Sequence, residues 1–167
     1  MDVRKAEVRT PVGELVLVAE EGSLAFLGFD GRSPGFRAAL ERRYGSWRLP
    51  RGADPGGAVS RLKAYFRGDL AALDEIAVAP HGTPFQLEVW AELRRIRAGR
   101  TIAYSELAER FGDPLAVRAV AQANARNPVA VVIPCHRVIA KDGSLHGYAG
   151  GLDRKRWLLV HEGALLA

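Results

Sequence analysis

Gly82-Thr83-Pro84-Phe85-Gln86 divides the chain into two halves of different periodicity. Thr83 has the side chain of a helix cap, Pro84 has its φ preset for the first helical position, and Gln86 can bond back to the cap, so a helix opens here. Phe85, Val89, Leu93 and Ile96 follow at helical spacing as its buried stripe, and Gly99 ends it. Before this start the chain reads as sheet broken by turns; after it the pattern is helical almost to the end.

To the left, Glu7 to Thr10, Glu14 to Ala19 and Leu24 to Phe29 are strand-like stretches separated by Pro11-Val12-Gly13 and Glu20-Glu21-Gly22, which predicts an antiparallel meander. Ser33 before Pro34 predicts a helix start, with Phe36, Leu40 and Tyr44 at helical spacing and Gly45 as the stop. Residues 48 to 57, rich in glycine, proline and charge, read as a surface loop. A short helix with Leu62, Tyr65 and Phe66 inward follows, and a connecting segment from Gly68 to about Pro80 carries the domain boundary. The expectation is an α/β (α+β) protein with an amino-terminal α/β subdomain over 1–80 and a mostly helical subdomain over 81–167.

To the right, Leu107, Ala108 and Phe111 share one face of a helix starting near Tyr104. Gly112 breaks it, and Asp113 with Pro114 starts another that runs to about Ala125. Two short helices joined by a glycine-containing turn resemble a helix-turn-helix. In the second, Val117, Val120 and Ala121 face inward while Arg118, Gln122 and Ala125 face out, so the exposed surface is one arginine among small residues. Such a face can come close to another body. Val129-Ala130-Val131-Val132-Ile133 reads as a buried strand leading into Pro134-Cys135-His136-Arg137. Leu152 to Glu162, with Trp157, Leu158 and Val160, makes a last helix after the flexible Gly147-Tyr148-Ala149-Gly150-Gly151.

Length and composition narrow the class. A chain of 167 residues holds one sizeable core or two small subdomains. With 48% hydrophobic and 26% charged residues, and no apolar run near the ~20 that cross a bilayer, no membrane span is expected. The first seven residues mix charges and lack the apolar core of a secretory signal, which points to the cytosol. One cysteine and four scattered histidines form neither an internal disulfide nor a zinc pattern, so no metal or other cofactor is expected. The net charge of +5 and a pI near 9.8 favour a polyanionic partner.

A lone cysteine is ordinarily a small buried hydrophobe. Here Pro134 precedes Cys135 and a titratable base, His136, follows it. A thiol of pKa about 8.5 needs a base, a cation or a helix N-terminus to favour its nucleophilic thiolate, and His136 is the close candidate. Adjacency alone does not bring the ring to the sulfur.

Pro134-Cys135-His136-Arg137-Val138-Ile139 resembles the active-site signature of the O6-alkylguanine-DNA alkyltransferases. The resemblance continues in order through Gly82-Thr83-Pro84-Phe85-Gln86 with Val89-Trp90, Tyr104 with Glu106-Leu107-Ala108, Arg118-Ala119-Val120, Asn127-Pro128, Gly147 to Leu152, and Lys155-Arg156-Trp157-Leu158-Leu159 to Glu162-Gly163. It is close over residues 82 to 163 and looser before them, through Thr10-Pro11-Val12-Gly13. It implies an RNase H-like amino-terminal part and a DNA-binding part that holds the site.

By that resemblance Cys135 accepts an alkyl group irreversibly from O6-alkylguanine, and from O4-alkylthymine, in double-stranded DNA, so each molecule acts once. His136 activates the thiol by way of a bridging water, Glu162 holds the histidine tautomer, and Asn127 braces the turn. Tyr104 sits by the target phosphate and purine and donates a proton as guanine leaves. Arg118 fills the stack emptied by base flipping, on a surface that includes Ala119, Ala121, Gln122 and Ala125. The carbonyls of Cys135 and Val138 and the amide of Ala149, next to Tyr148, recognise the guanine edge. The implied protein is a monomer without an obligate protein partner.

Ala121 stands where many family members have glycine, and Gln122, Asn124 and Arg126 lie beside variable positions. The cysteine and histidine zinc ligands of some relatives are absent from the amino-terminal part. Two other classes remain open on the residues: a non-catalytic lesion-binding module that keeps Arg118 but leaves Cys135 inert, and a cysteine hydrolase using Cys135 and His136.

Overall fold

A computed structural model describes residues 1–29 and 34–167, the side chain of Pro34 excepted. The chain forms two compact units, Met1–Pro80 and His81–Ala167.

The first unit is built on an antiparallel meander of β1 (Val3–Thr10), β2 (Gly13–Glu20) and β3 (Ser23–Phe29). The β1–β2 register runs from Val3 opposite Glu20 to Thr10 opposite Gly13. The turn between them is closed by Thr10, whose hydroxyl donates to Gly13 O at 2.6 Å and accepts from Val12 N at 3.1 Å. From Leu15 on, every residue of the central strand is buried, as expected of a strand covered on both faces. α1 (Pro34–Tyr44) contributes Leu40 to the core; the capping expected of Ser33 lies outside the described residues. α2 (Ala58–Phe66) buries Ala58, Val59, Leu62 and Tyr65, with Phe66 half-buried.

Both segments expected to be plain loops take part in the sheet. Lys5 N donates to Pro50 O and Gly52 N to Lys5 O, which lays the 48–57 segment along β1. Leu24 N donates to Ala77 O and Ala79 N to Leu24 O, which lays the connecting segment along β3, after a 3₁₀ turn over Leu70–Glu75.

The second unit opens at α3 (Pro84–Leu93), where the reciprocal cap is complete: Gln86 N donates to Thr83 Oγ1 at 3.2 Å and Thr83 N to Gln86 Oε1 at 3.0 Å. Gly82 is required there, because a Cβ would meet the Trp90 ring at 2.6 Å. The buried stripe differs from the sequence reading. Val89, Leu93 and Ile96 are inside, but Phe85 is 36% exposed against the Phe111 ring, and Trp90 fills the core, donating its Nε1 hydrogen to Ala123 O at 2.8 Å. The helix also stops at Leu93, well before Gly99.

β4 (Ile102–Ala103) and β5 (Val138–Ile139) form a parallel pair, with Ile102 opposite Val138 and Ala103 opposite Ile139. α4 (Tyr104–Glu109) starts directly from β4; a turn through Gly112, the Asp113 cap and a 3₁₀ turn over Pro114–Ala116 lead into α5 (Val117–Ala125). The buried side of α5 is Val120, Ala123 and Asn124, so the helix is rotated from the expected inner face, and Val117 and Ala121 are only half-buried. Arg118, Ala119, Gln122 and Ala125 are exposed.

Val129–Ile133 is buried throughout, but it is a turn and not a strand. Ile133 N returns to Val129 O, Val131 takes φ +71°, and the Asn127 amide closes both ends, donating to Ile133 O at 2.7 Å and accepting from Val129 N at 3.0 Å. With the backbone groups satisfied locally, a buried β-branched run needs no neighbouring strand. α6 (Leu152–His161) completes the unit, burying Lys155, Leu158 and Leu159. Among the described residues no helix is long and apolar enough to cross a membrane.

Candidate functional site

The β4–β5 pair places the start of α4 beside the turn that follows Pro134. Cys135 is the first residue of a single 3₁₀ turn, Cys135–Arg137, and is only 8% exposed. It lines a pocket of about 520 Å³ together with Tyr104, Asn127, Tyr148 and Ala149, while Ala121, Asn124 and Ala125 supply the α5 side. Seven of the residues singled out from sequence therefore meet in one cavity.

Behind the thiol the turn points His136 and Arg137 into the core, where both meet Glu162 at the C-terminal end of α6. His136 Nε2 lies 2.9 Å from Glu162 Oε2. Arg137 grips the same carboxylate through Nε (2.8 Å, to Oε1) and Nη2 (2.9 Å, to Oε2), and its Nη1 donates to Ile96 O at 2.6 Å. A carboxylate only accepts, so Nε2 carries the imidazole hydrogen and Nδ1 is left with a lone pair, buried and without a partner. The ring and the sulfur, though adjacent in sequence, are not hydrogen-bonded to each other.

Burial would raise the Glu162 carboxyl, but the hydrogen bonds from Arg137 and His136 outweigh it and hold the group well below the carboxylate range. Burial pushes His136 down, with Arg137 and Lys155 adding to the effect and Glu162 opposing it. Burial pushes the Cys135 thiol up, partly offset by Asn127 and by the charge of Lys155. The resting site therefore pairs a neutral thiol with a neutral imidazole.

Lys155 is a feature that sequence reasoning missed. Its side chain is fully buried, and its ammonium donates to Val138 O and His146 O, each at 2.8 Å. Burial lowers it to about 8, against the opposing effect of Cys135. Tyr104 adds a long hydrogen bond of 3.4 Å to the same His146 carbonyl, and burial raises its hydroxyl. The signal for Lys155 was its place three and four residues before the buried Leu158 and Leu159 on α6. Val138 departs most from the sequence expectation: its side chain is buried away from the pocket, and one lone pair of its carbonyl is already engaged by Lys155.

The exposed residues lie outside this pocket. Arg118, with Tyr104 and Ala121, borders an adjoining open depression, and Ala119 and Gln122 border a shallower one with Thr83 and Phe85.

The family model of the 6-O-methylguanine DNA methyltransferase DNA-binding domain matches residues 84–164. A methylated-DNA–protein-cysteine methyltransferase of Shigella flexneri is 43% identical over 164 residues, 96% of this chain and 95% of the relative. The protein of that name from Mycobacterium tuberculosis is 41% identical over 158 residues, 93% and 89% of the two chains. The solved M. tuberculosis O6-methylguanine methyltransferase superposes with a TM-score of 0.80 at 36% identity, covering 98% of this chain and 94% of its own. The OGT protein of that organism, solved in complex with DNA, gives 0.78 at 37% identity, with 96% and 93% covered.

Proposed function

This chain belongs to the methylated-DNA–protein-cysteine methyltransferase family, and from that premise we propose that it repairs alkylated DNA by moving the alkyl group onto Cys135. The observation that carries the assignment is the placement of the chain's one cysteine in the pocket, with the buried His136–Glu162 pair directly behind it.

The donor is O6-alkylguanine in double-stranded DNA, with O4-alkylthymine as a second substrate. The target atom lies inside the base stack, so the nucleotide is flipped into the pocket before the sulfur reaches it. The sulfur attacks the alkyl carbon, an S–C bond forms as the C–O6 bond breaks, and the electron pair leaves on guanine. His136 takes the thiol proton through its free Nδ1 by way of a bridging water, and guanine gains a proton as it departs, with Tyr104 placed to supply it. A thioether has no easy route back to a thiolate, so each molecule reacts once.

α4 and α5 act as a helix-turn-helix whose small-residue outer face, Ala119, Ala121, Gln122 and Ala125, meets the duplex, and Arg118 fills the vacated stack. Asn127 holds the turn that presents Cys135. The 81–167 unit is thus the DNA-binding and alkyl-acceptor part. Every residue assigned to the site comes from it, so one copy of the chain suffices, acting as a monomer in the cytoplasm.

Intact mass before and after incubation with a duplex containing O6-methylguanine tests the proposal. One methyl group per protein, mapped to Cys135 and absent from Cys135→Ser, is expected. An unmodified wild-type mass refutes it, and binding without transfer supports a lesion-binding module instead.

A further inference from the structure

Asn124 is 5% exposed on the buried side of α5 and borders the pocket that holds Cys135. Its Nδ2 donates to Cys135 O at 3.4 Å, which fixes which end of the amide is which, since exchanging the two atoms would set two carbonyl oxygens against each other. The other end, Oδ1, is buried with no hydrogen-bond partner. The helix cannot easily turn to relieve it, because the neighbouring Ala123 carbonyl is held by Trp90 and Val120 is fully buried. An orphaned amide acceptor kept at a pocket wall is matched to a donor that arrives with the ligand.

Building on the alkyl-transfer reading, we propose that Asn124 is a specificity-determining residue whose Oδ1 accepts a hydrogen from the 2-amino group of the flipped guanine. Alkylation at O6 removes the N1 hydrogen, so the 2-amino group is the remaining donor on that edge of the base. Cys135 O spends one lone pair on Asn124 Nδ2 and keeps the other, so these two neighbouring acceptors can share the two amino hydrogens. An O4-alkylthymine offers a carbonyl oxygen instead of that donor and faces Oδ1 as like to like. The residue therefore favours the purine lesion over the pyrimidine one.

The test compares single-turnover transfer by the full chain from duplexes containing O6-methylguanine or O6-methylhypoxanthine, which differ by the 2-amino group alone. The wild type is expected to react about tenfold faster with the guanine lesion, the order of one neutral hydrogen bond. Asn124→Leu should slow the guanine lesion to the hypoxanthine rate and leave the hypoxanthine rate within about twofold, a coupling that loss of packing alone does not produce. Equal slowing on both substrates, or an unchanged ratio, overturns the proposal. If Asn124→Leu does not fold, Asn124→Ala is read in the same way, and a wild-type ratio of one is decisive by itself. A wild type that transfers from neither duplex overturns the alkyl-transfer reading, and with it this one; a wild type that transfers with no dependence on the 2-amino group overturns this one alone.

Discussion

Arg137 holds Glu162 with two parallel hydrogen bonds, Nε to Oε1 at 2.8 Å and Nη2 to Oε2 at 2.9 Å, while the same Oε2 faces His136 Nε2 at 2.9 Å. The guanidinium balances the carboxylate that would otherwise favour an imidazolium. His136 can then be oriented by an ionised Glu162 without being protonated by it. The trio is a device for keeping a buried base neutral.

Arg137→Met should remove that balance. It leaves a buried carboxylate without its cation, and stability should fall by about 3–5 kcal/mol in denaturant unfolding. Since Arg137 is one of the groups lowering His136, its loss should also move the acid limb of transfer to higher pH. An unchanged limb would mean that Arg137 serves packing alone.

His136→Ala should slow single-turnover transfer by roughly 10²–10⁴-fold, the range for a positioned base, with a much smaller effect on folding. The pH dependence follows from the direction of the shift. A base whose pKa is depressed loses its proton at lower pH, so the neutral ring persists below its ordinary value of 6.5. Wild-type transfer should therefore not decline on going from neutrality to pH 6.5, and a midpoint at or above 6.5 would contradict the assignment.

Lys155 gives a stability signature. Its folded value of about 8 lies below the ordinary 10.5, so between these values the unfolded chain binds a proton that the folded chain has released. Stability then rises with pH across that window. The difference in unfolding free energy between wild type and Lys155→Met should grow in favour of the wild type from pH 8 to 10.5. A flat difference would show that the ammonium carries no burial penalty.

Arg118→Ala separates flipping from chemistry. Arg118 is exposed and lies outside the Cys135 pocket, so its contribution should require a stack to fill. Transfer from a well-paired duplex lesion should slow markedly, from a mispaired or single-stranded lesion less, and from free O6-benzylguanine hardly at all. Equal slowing of all three would remove the stacking role.

Where local chemistry decides the structure, the sequence is readable. Thr83, Pro84 and Gln86 are enough to start α3, and the two turns of the meander are punctuated by their own glycines. Reading fails where a distant partner decides. Val129–Ile133 has strand composition, but the Asn127 side chain closes it into a turn. The two-residue pair β4–β5 is too short to show periodicity, yet it sets Tyr104 beside Cys135. The site divides in the same way. Cys135, His136 and Glu162 are named by motif, whereas Lys155 and Asn124 acquire meaning only from carbonyls on other segments, Val138 and His146 for one and Cys135 for the other.

The straps along the sheet bear on how such a protein can be stored. A molecule consumed by its own reaction must be present in numbers comparable to the lesions it meets, so many idle copies share the same space. An outer strand with a long run of free amides and carbonyls would invite those copies to join edge to edge. The backbone bonds of Pro50 and Gly52 to Lys5 on β1, and of Ala77 and Ala79 to Leu24 on β3, interrupt that run on both outer strands. The segments that look like idle connections thus act as colloidal insulation, allowing a stockpile of single-shot molecules to remain dispersed.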